Sequence, residues 1–280
     1  MGRDETGLNA RSVSAKYDQL LGKLRGDYVA FRWLRGPKIH EYCQTKRSLI
    51  AELAGRDRFD KVLEIGCGPG TWTDLLSHKS RQIVAIDVSR EMIRVASMNV
   101  PKNTKVICAD FLSDSLVLDH GFDSVFAVRS FEYLNDKQEA LRKARTLLKT
   151  GGLFCAITKN PCYAPMFVIR SLLKLPWISR SGWIPKSIRE LLHIYSDELH
   201  SGWVSPAWFA RILSTGGFGH VRIYPTVIGI FFSRFGSKIF DPLYWFFDHM
   251  FLCLYRRPLH VVLWPLVESY LISAVKIGVE

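Results

Sequence analysis

Three glycines at alternate positions, Gly66, Gly68 and Gly70, end a short apolar run, Val62-Leu63-Glu64-Ile65, that carries a single acid. A stretch of helical character, Thr71 to His78, follows them. Glycine lets a backbone turn sharply and lets a ligand come closer than any Cβ allows, and a helix N-terminus behind the turn offers unpaired N–H groups. About twenty residues further on, the apolar run Gln82-Ile83-Val84-Ala85-Ile86 ends in Asp87, where a carboxylate can accept hydrogen bonds from both hydroxyls of a ribose. A third run, Val106-Ile107-Cys108-Ala109, ends in Asp110 and Phe111. Together these residues describe a nucleoside-binding unit of strand, helix and strand.

Such residues meet only if the surrounding elements bring them to one edge. From Lys61 onward, strands and helices alternate regularly. Strands are expected at Val62–Ile65, Ile83–Ile86, Lys105–Cys108, Phe122–Val128 and Gly152–Thr158. Helices are expected at Thr71–His78, Arg90–Asn99 and Lys137–Leu148. That order implies a parallel sheet covered on both faces, with ligands at the carboxyl ends of the strands. Gly66, Asp87, Asp110 and Arg129 all fall there. Ser89 is the expected N-cap of the helix carrying Met92, and Ser205-Pro206 starts a helix that stops at Gly216-Gly217. Ahead of this unit, Ser12 to Ala54 reads as two helices broken near Gly36-Pro37, the first bearing Tyr17, Leu20, Leu21, Leu24, Tyr28 and Phe31 at close to helical spacing.

Bulk properties narrow the class. The 280 residues are 48% apolar, enough for a large core, and only the polar tail Met1 to Ala10 reads as disordered. The net charge of +12 is spread along the chain, with no lysine-rich tail of the kind that grips nucleic acid. Six cysteines without a C-x-x-C pair point to a reducing, cytosolic compartment, with no disulfide framework and no metal site. No signal peptide and no membrane-spanning helix are expected.

The nucleotide fingerprint G-x-G-x-x-G would need a glycine where this chain has Thr71. With Glu64 in the strand and glycines at 66, 68 and 70, the stretch instead resembles the first motif, E/D-x-G-x-G-x-G, of class I S-adenosylmethionine-dependent methyltransferases. The resemblance continues through Asp87, through Asp110-Phe111 and, in family order, over about residues 12–160, 203–225 and 268–277. It implies a doubly wound α/β fold, a mostly parallel seven-stranded sheet with an antiparallel last strand. It also implies S-adenosyl-L-methionine as cofactor, with the glycine turn on the methionine moiety, Asp87 on the ribose and Asp110 and Phe111 at the adenine. The cofactor residues expected on this basis are Glu64, Gly66, Cys67, Gly68, Gly70, Asp87, Val88, Met92, Asp110, Phe111 and Arg129. The family's leading segment covers the pocket, so Tyr17, Tyr28 or Arg32 is expected near the methionine carboxylate. Arg129-Ser130-Phe131-Glu132 stands where many nucleic-acid adenine methylases carry N/D-P-P-Y/F, which argues against a nucleic-acid substrate.

The same resemblance divides the chain into a helical segment over the pocket (1–54), a cofactor-binding core (55–160), a cap insertion (161–204), a core continuation (205–227), an apolar helical insertion (228–267) and a last strand (268–280). The cap carries five basic residues between Arg170 and Arg189, interleaved with Trp177 and Trp183. These suit an anionic membrane surface, a diphosphate or a solvated basic cap. The second insertion holds an apolar helix from Asp241 to Leu254. Two such insertions flanking one pocket favour a hydrophobic or lipid-linked small-molecule acceptor, in a cytoplasmic protein compatible with peripheral membrane contact. An oxygen acceptor needs a base, for which His193, His200 and Glu132 are expected, with Tyr195 to orient. The alternatives are methylation of RNA or of a polar metabolite or sugar, and a scaffold that binds S-adenosyl-L-methionine without catalysis. Nothing in the sequence sets the oligomeric state.

Overall fold

The computed structural model describes residues 9–24, 28–34, 38–163, 202–228, 264 and 267–278. Among them seven strands form one sheet: β1 (Phe59–Ile65), β2 (Ser80–Asp87), β3 (Thr104–Cys108), β4 (Phe122–Val128), β5 (Leu148–Lys159), β6 (Phe218–Ile228) and β7 (Val267–Lys276). Their order is β3-β2-β1-β4-β5-β7-β6. The first five run parallel, and β7 lies antiparallel between β5 and β6. The direction of winding reverses between β1 and β4, the place where open sheets of this kind leave a crevice at their carboxyl ends.

Strands covered on both faces must be apolar throughout. β4 is buried at every position, and β1 over its last four. One face packs Leu63, Phe122, Val125 and Phe154 beneath α5 (Lys137–Leu147) and α6 (Pro206–Thr215), whose Leu141, Phe209 and Leu213 meet them. The other packs Val62, Ile83, Phe126 and Cys155 beneath α2 (Lys38–Leu53) and α3 (Thr71–Ser77), through Leu49, Trp72 and Leu76. Fully burying one such side chain stabilises the fold by about 1.5–3 kcal/mol, so the two layers supply most of the driving force. Cys67 and Cys155 serve here as small apolar residues. Pro225 interrupts β6 without breaking the sheet because β6 is an edge strand.

The helix starts follow the sequence. Ser89 caps α4 (Arg90–Asn99) and Ser205 caps α6, each accepting from the N–H three residues on. In the N-terminal part, α1 (Ala10–Leu24) and a π-helical turn, Ala30–Leu34, precede α2, and Phe31 and Arg32 lie on that turn. The turn is held by aromatic packing: the Trp33 ring meets Trp72 edge-on at 5.2 Å, and Tyr42 stacks on Trp72 at 5.3 Å. The basic cap and the apolar helix expected from Asp241 to Leu254 lie outside the described residues. Among the described residues, no helix is long and apolar enough to cross a membrane.

Candidate cofactor cleft

The glycine turn sits at the carboxyl end of β1. Gly66 and Cys67 donate to the Ile86 carbonyl at 2.7 and 3.0 Å, which ties the turn to β2. Gly66 has φ 72°, and a Cβ there would lie 2.3 Å from Ser130 Cβ. No other residue fits that contact or that backbone. The Gly68 N–H donates to Asp87 Oδ2 at 2.8 Å, and the Ser89 N–H donates to Oδ1 at 2.9 Å. Burial pushes the Asp87 carboxyl up, while these donors pull it down. Each oxygen retains a further acceptor site for a hydroxyl. On β3, the Asp110 carboxylate accepts from the Leu112 N–H at 2.9 Å.

Across β1, Arg129 ends β4 with φ 61°, a left-handed backbone uncommon for arginine, and its N–H bonds to Ile157 at 2.7 Å. Its guanidinium donates to Glu41 and, at 3.2 Å, to Ser269 Oγ, and lies 3.5 Å from Glu132. Burial disfavours its charge, but Glu41 beside it outweighs this and raises its pKa. Above the turn, α1 and the π-helical turn bring Tyr17, Tyr28 and Arg32 over the opening. The Tyr17 ring meets Tyr28 and Tyr133 edge-on at 6.3 and 5.9 Å. Burial raises the Tyr17 hydroxyl well above its ordinary range and pushes Tyr28 up to about 12, so both are neutral. Asp18 fastens α1 to the start of α4, accepting from Ser89 Oγ at 2.5 Å and from the Glu91 N–H at 3.2 Å.

Between these walls lies a cleft that is partly open to solvent. Of the expected cofactor residues, Gly66, Cys67, Gly68, Asp87, Val88, Met92, Asp110, Phe111 and Arg129 line it. Gly70 does not; with φ 90° it caps α3 and packs against Val100. Glu64 does not line it either. Its carboxylate is fully buried and takes the Thr73 hydroxyl at 2.6 Å, so it braces the turn from behind. Burial pushes its carboxyl up to about 7. Glu132 is also absent from the cleft wall: it is buried beside Arg129 and accepts from Thr158 Oγ1 at 3.0 Å. His193, His200 and Tyr195 lie outside the described residues. Sequence reasoning missed Tyr133 and Ser130, whose position directly after a strand end was the available signal. It also missed Glu41, for which no local signal exists.

The residues present fit S-adenosyl-L-methionine. Acids end two adjacent strands, the glycine turn brings backbone close to the ligand, and Val88, Met92 and Phe111 provide apolar surface between the acids. Among the described residues, no group of His, Cys, Asp and Glu could hold a metal ion.

Comparisons with known proteins agree with this geometry. Residues 62–152 match a family model described as a methyltransferase domain. A ubiquinone biosynthesis O-methyltransferase of Chromobacterium violaceum is 26% identical over 117 residues, covering 39% of this chain and 48% of that protein. An uncharacterized methyltransferase of Bacillus mycoides is 34% identical over 96 residues, covering 34% and 44%. The chain thus spans about half the length of the curated relatives it matches. Among solved structures, a SAM-dependent methyltransferase of Archaeoglobus fulgidus superposes with a TM-score of 0.55 at 18% identity, covering 89% of this chain and all of that one. Phosphoethanolamine N-methyltransferase 2 of Haemonchus contortus, in complex with S-adenosyl-L-methionine, superposes at 0.52 and 14% identity, covering 83% of this chain and 52% of that one. Residues 62–152 thus match a methyltransferase domain, and the sheet around them has the strand order and fold of solved S-adenosylmethionine-dependent methyltransferases.

Proposed function

We propose that this chain transfers a methyl group from S-adenosyl-L-methionine to a hydrophobic or lipid-linked small molecule. The observation that carries the reading is the asymmetry of the cleft: hydrogen-bonding groups on the β1–β3 rim, and a roof of Val13, Tyr17, Tyr28, Tyr133 and Leu134 above it. The ubiquinone-biosynthesis name of the Chromobacterium violaceum relative supports an apolar acceptor. When bound, the cofactor supplies a methyl group activated by a sulfonium. The chain's own part is to hold, align and keep dry. Asp87 accepts the ribose hydroxyls, and Asp110 and Phe111 frame the adenine. The glycine turn admits the methionine end, and the neutral tyrosines close the roof against water. A base for an oxygen acceptor is proposed at His193 or His200. The working place is proposed to be the cytoplasm, with peripheral contact at a membrane surface through the basic cap.

Calorimetry with S-adenosylhomocysteine, followed by radiolabelled methyl transfer into fractionated lipid, RNA and aqueous extracts, tests this. Label is expected in the lipid fraction. Asp87→Asn is expected to weaken S-adenosylhomocysteine by about 10–100-fold, the scale of a lost charge-assisted hydrogen bond. Label in the RNA or aqueous fraction alone overturns the acceptor. An absence of S-adenosylhomocysteine binding overturns the cofactor reading.

A further inference from the structure

Behind the β4 side of the cleft lies a set of charges that this scheme does not use. Arg32, Glu41, Arg129, Glu132, Lys159 and Glu268 form one buried group in which three cations meet three anions. Glu41, on α2, is the common member. Its two oxygens take both terminal nitrogens of Arg32 at 3.0 and 3.1 Å, and Oε1 also meets Arg129 and, at 3.5 Å, Lys159. The Glu41 side chain is 3% exposed and absent from the cleft wall, whereas Arg32 and Arg129 both line it. Burial opposes its charge, but Arg32, Lys159 and Arg129 hold its carboxyl well below the usual carboxylate range.

Sheet order decides which part of a ligand reaches these guanidiniums. Asp87 and Asp110 stand at the ends of β2 and β3 on one side of β1, and Arg129 follows β4 on the other. A ligand with its ribose at Asp87 and its middle on the glycine turn extends its far end toward Arg129. For S-adenosyl-L-methionine that far end is the amino-acid tail. An arginine side chain loses much rotamer freedom when it is immobilised. A side chain already fixed before the ligand arrives does not lose that freedom on binding.

We propose that Glu41 is a positioning residue: without touching the cofactor, it holds Arg32 and Arg129 in place for the amino-acid end. The proposal rests on the S-adenosyl-L-methionine reading above. The test compares S-adenosylhomocysteine with 5′-methylthioadenosine, which keeps the nucleoside and lacks the amino-acid tail, by calorimetry on the folded chain. Glu41→Gln is expected to weaken S-adenosylhomocysteine at least about tenfold and 5′-methylthioadenosine less than about threefold, because only the first ligand meets the released arginines. In an Arg129→Gln background, Glu41→Gln is expected to weaken S-adenosylhomocysteine by a smaller factor than in the unaltered chain, since only Arg32 is left to be released. Equal losses for the two ligands overturn the proposal, as does an affinity for S-adenosylhomocysteine within about twofold of the unaltered chain. If Glu41→Gln does not fold, Glu41→Asp, one methylene too short for the fork to Arg32, takes its place, with a selective loss of about threefold expected. Binding of neither ligand by the unaltered chain overturns the cofactor reading, and this proposal with it.

Discussion

Asp87 and Arg129 stand on opposite sides of β1 and are held in different ways. Asp87 is fixed by two backbone N–H groups, from Gly68 and Ser89, and Asp110 by the N–H of Leu112. Arg129 is fixed by side chains brought from Glu41 and Ser269, 88 and 140 residues away in sequence. One rim is built from short-range turns that form with their own strands. The other exists only when the N-terminal helices, β4, β5 and β7 are all in place. Two buried glutamates show the consequence. Glu64, on the first rim, has a hydroxyl for its partner and is pushed toward neutrality, whereas Glu41, on the second, has three cations and stays charged.

The contrast can be broken most sharply at Glu268. Lys159 is buried between Glu268 and Glu41, so Glu268→Gln leaves a buried ammonium with its weaker partner. A loss of about 3–5 kcal/mol is expected in urea unfolding. Affinity of the folded variant for 5′-methylthioadenosine is expected to stay within about twofold, because the nucleoside rim does not use this network. A loss below about 1 kcal/mol would show that the second rim is not the cooperative assembly described.

Glu64 offers the next largest effect, and its sign follows from linkage. Its carboxyl is raised to about 7 in the folded chain, against an ordinary value near 4.3 when unfolded. Between those values the folded state holds the extra proton, so stability falls as pH rises through this window and levels off above it. The total is up to about 4 kcal/mol. Glu64→Gln is expected to flatten the slope, as measured by unfolding midpoints at pH 5 and pH 8. An unchanged slope would mean that Glu64 is not the group responsible.

The smallest effect belongs to Ser89, whose hydroxyl accepts from the Met92 N–H at 3.1 Å and donates to Asp18. Ser89→Ala is expected to cost about 1 kcal/mol, the usual loss of an N-cap. A cost nearer that of Glu268→Gln would erase the distinction between the rims.

The same distinction explains what could be read from the sequence. Gly66, Gly68, Asp87, Ser89 and Asp110 act on neighbours a few positions away or at the end of the adjacent strand, so spacing and residue type were enough. The sheet order followed because the alternation of apolar runs and helical stretches left few other arrangements. Glu64 and Glu132 were read as site residues because each sits in the right stretch. Which way a side chain points from that stretch depends on packing with Thr73 and Thr158, and the stretch itself does not carry that information. The π-helical turn at Ala30–Leu34 was hidden for a related reason: it is held by Trp33, Tyr42 and Trp72, and such contacts leave no periodicity in the chain. Glu41 reads as one more polar residue of a surface helix, since nothing near it signals Arg129.

Asn160 has a consequence for how such a protein can diversify. Its side-chain amide donates to the carbonyls of Trp264 and Val267 at 3.1 and 2.9 Å, and its own N–H meets Glu268 at 2.8 Å. In sequence, the first long insertion begins just after this residue and the second ends just before β7, so one amide ties the ends of β5 and β7 together. A descendant could exchange either insertion, or both together, by conserving a single amide and its neighbours, while the sheet and its cleft stay as they are.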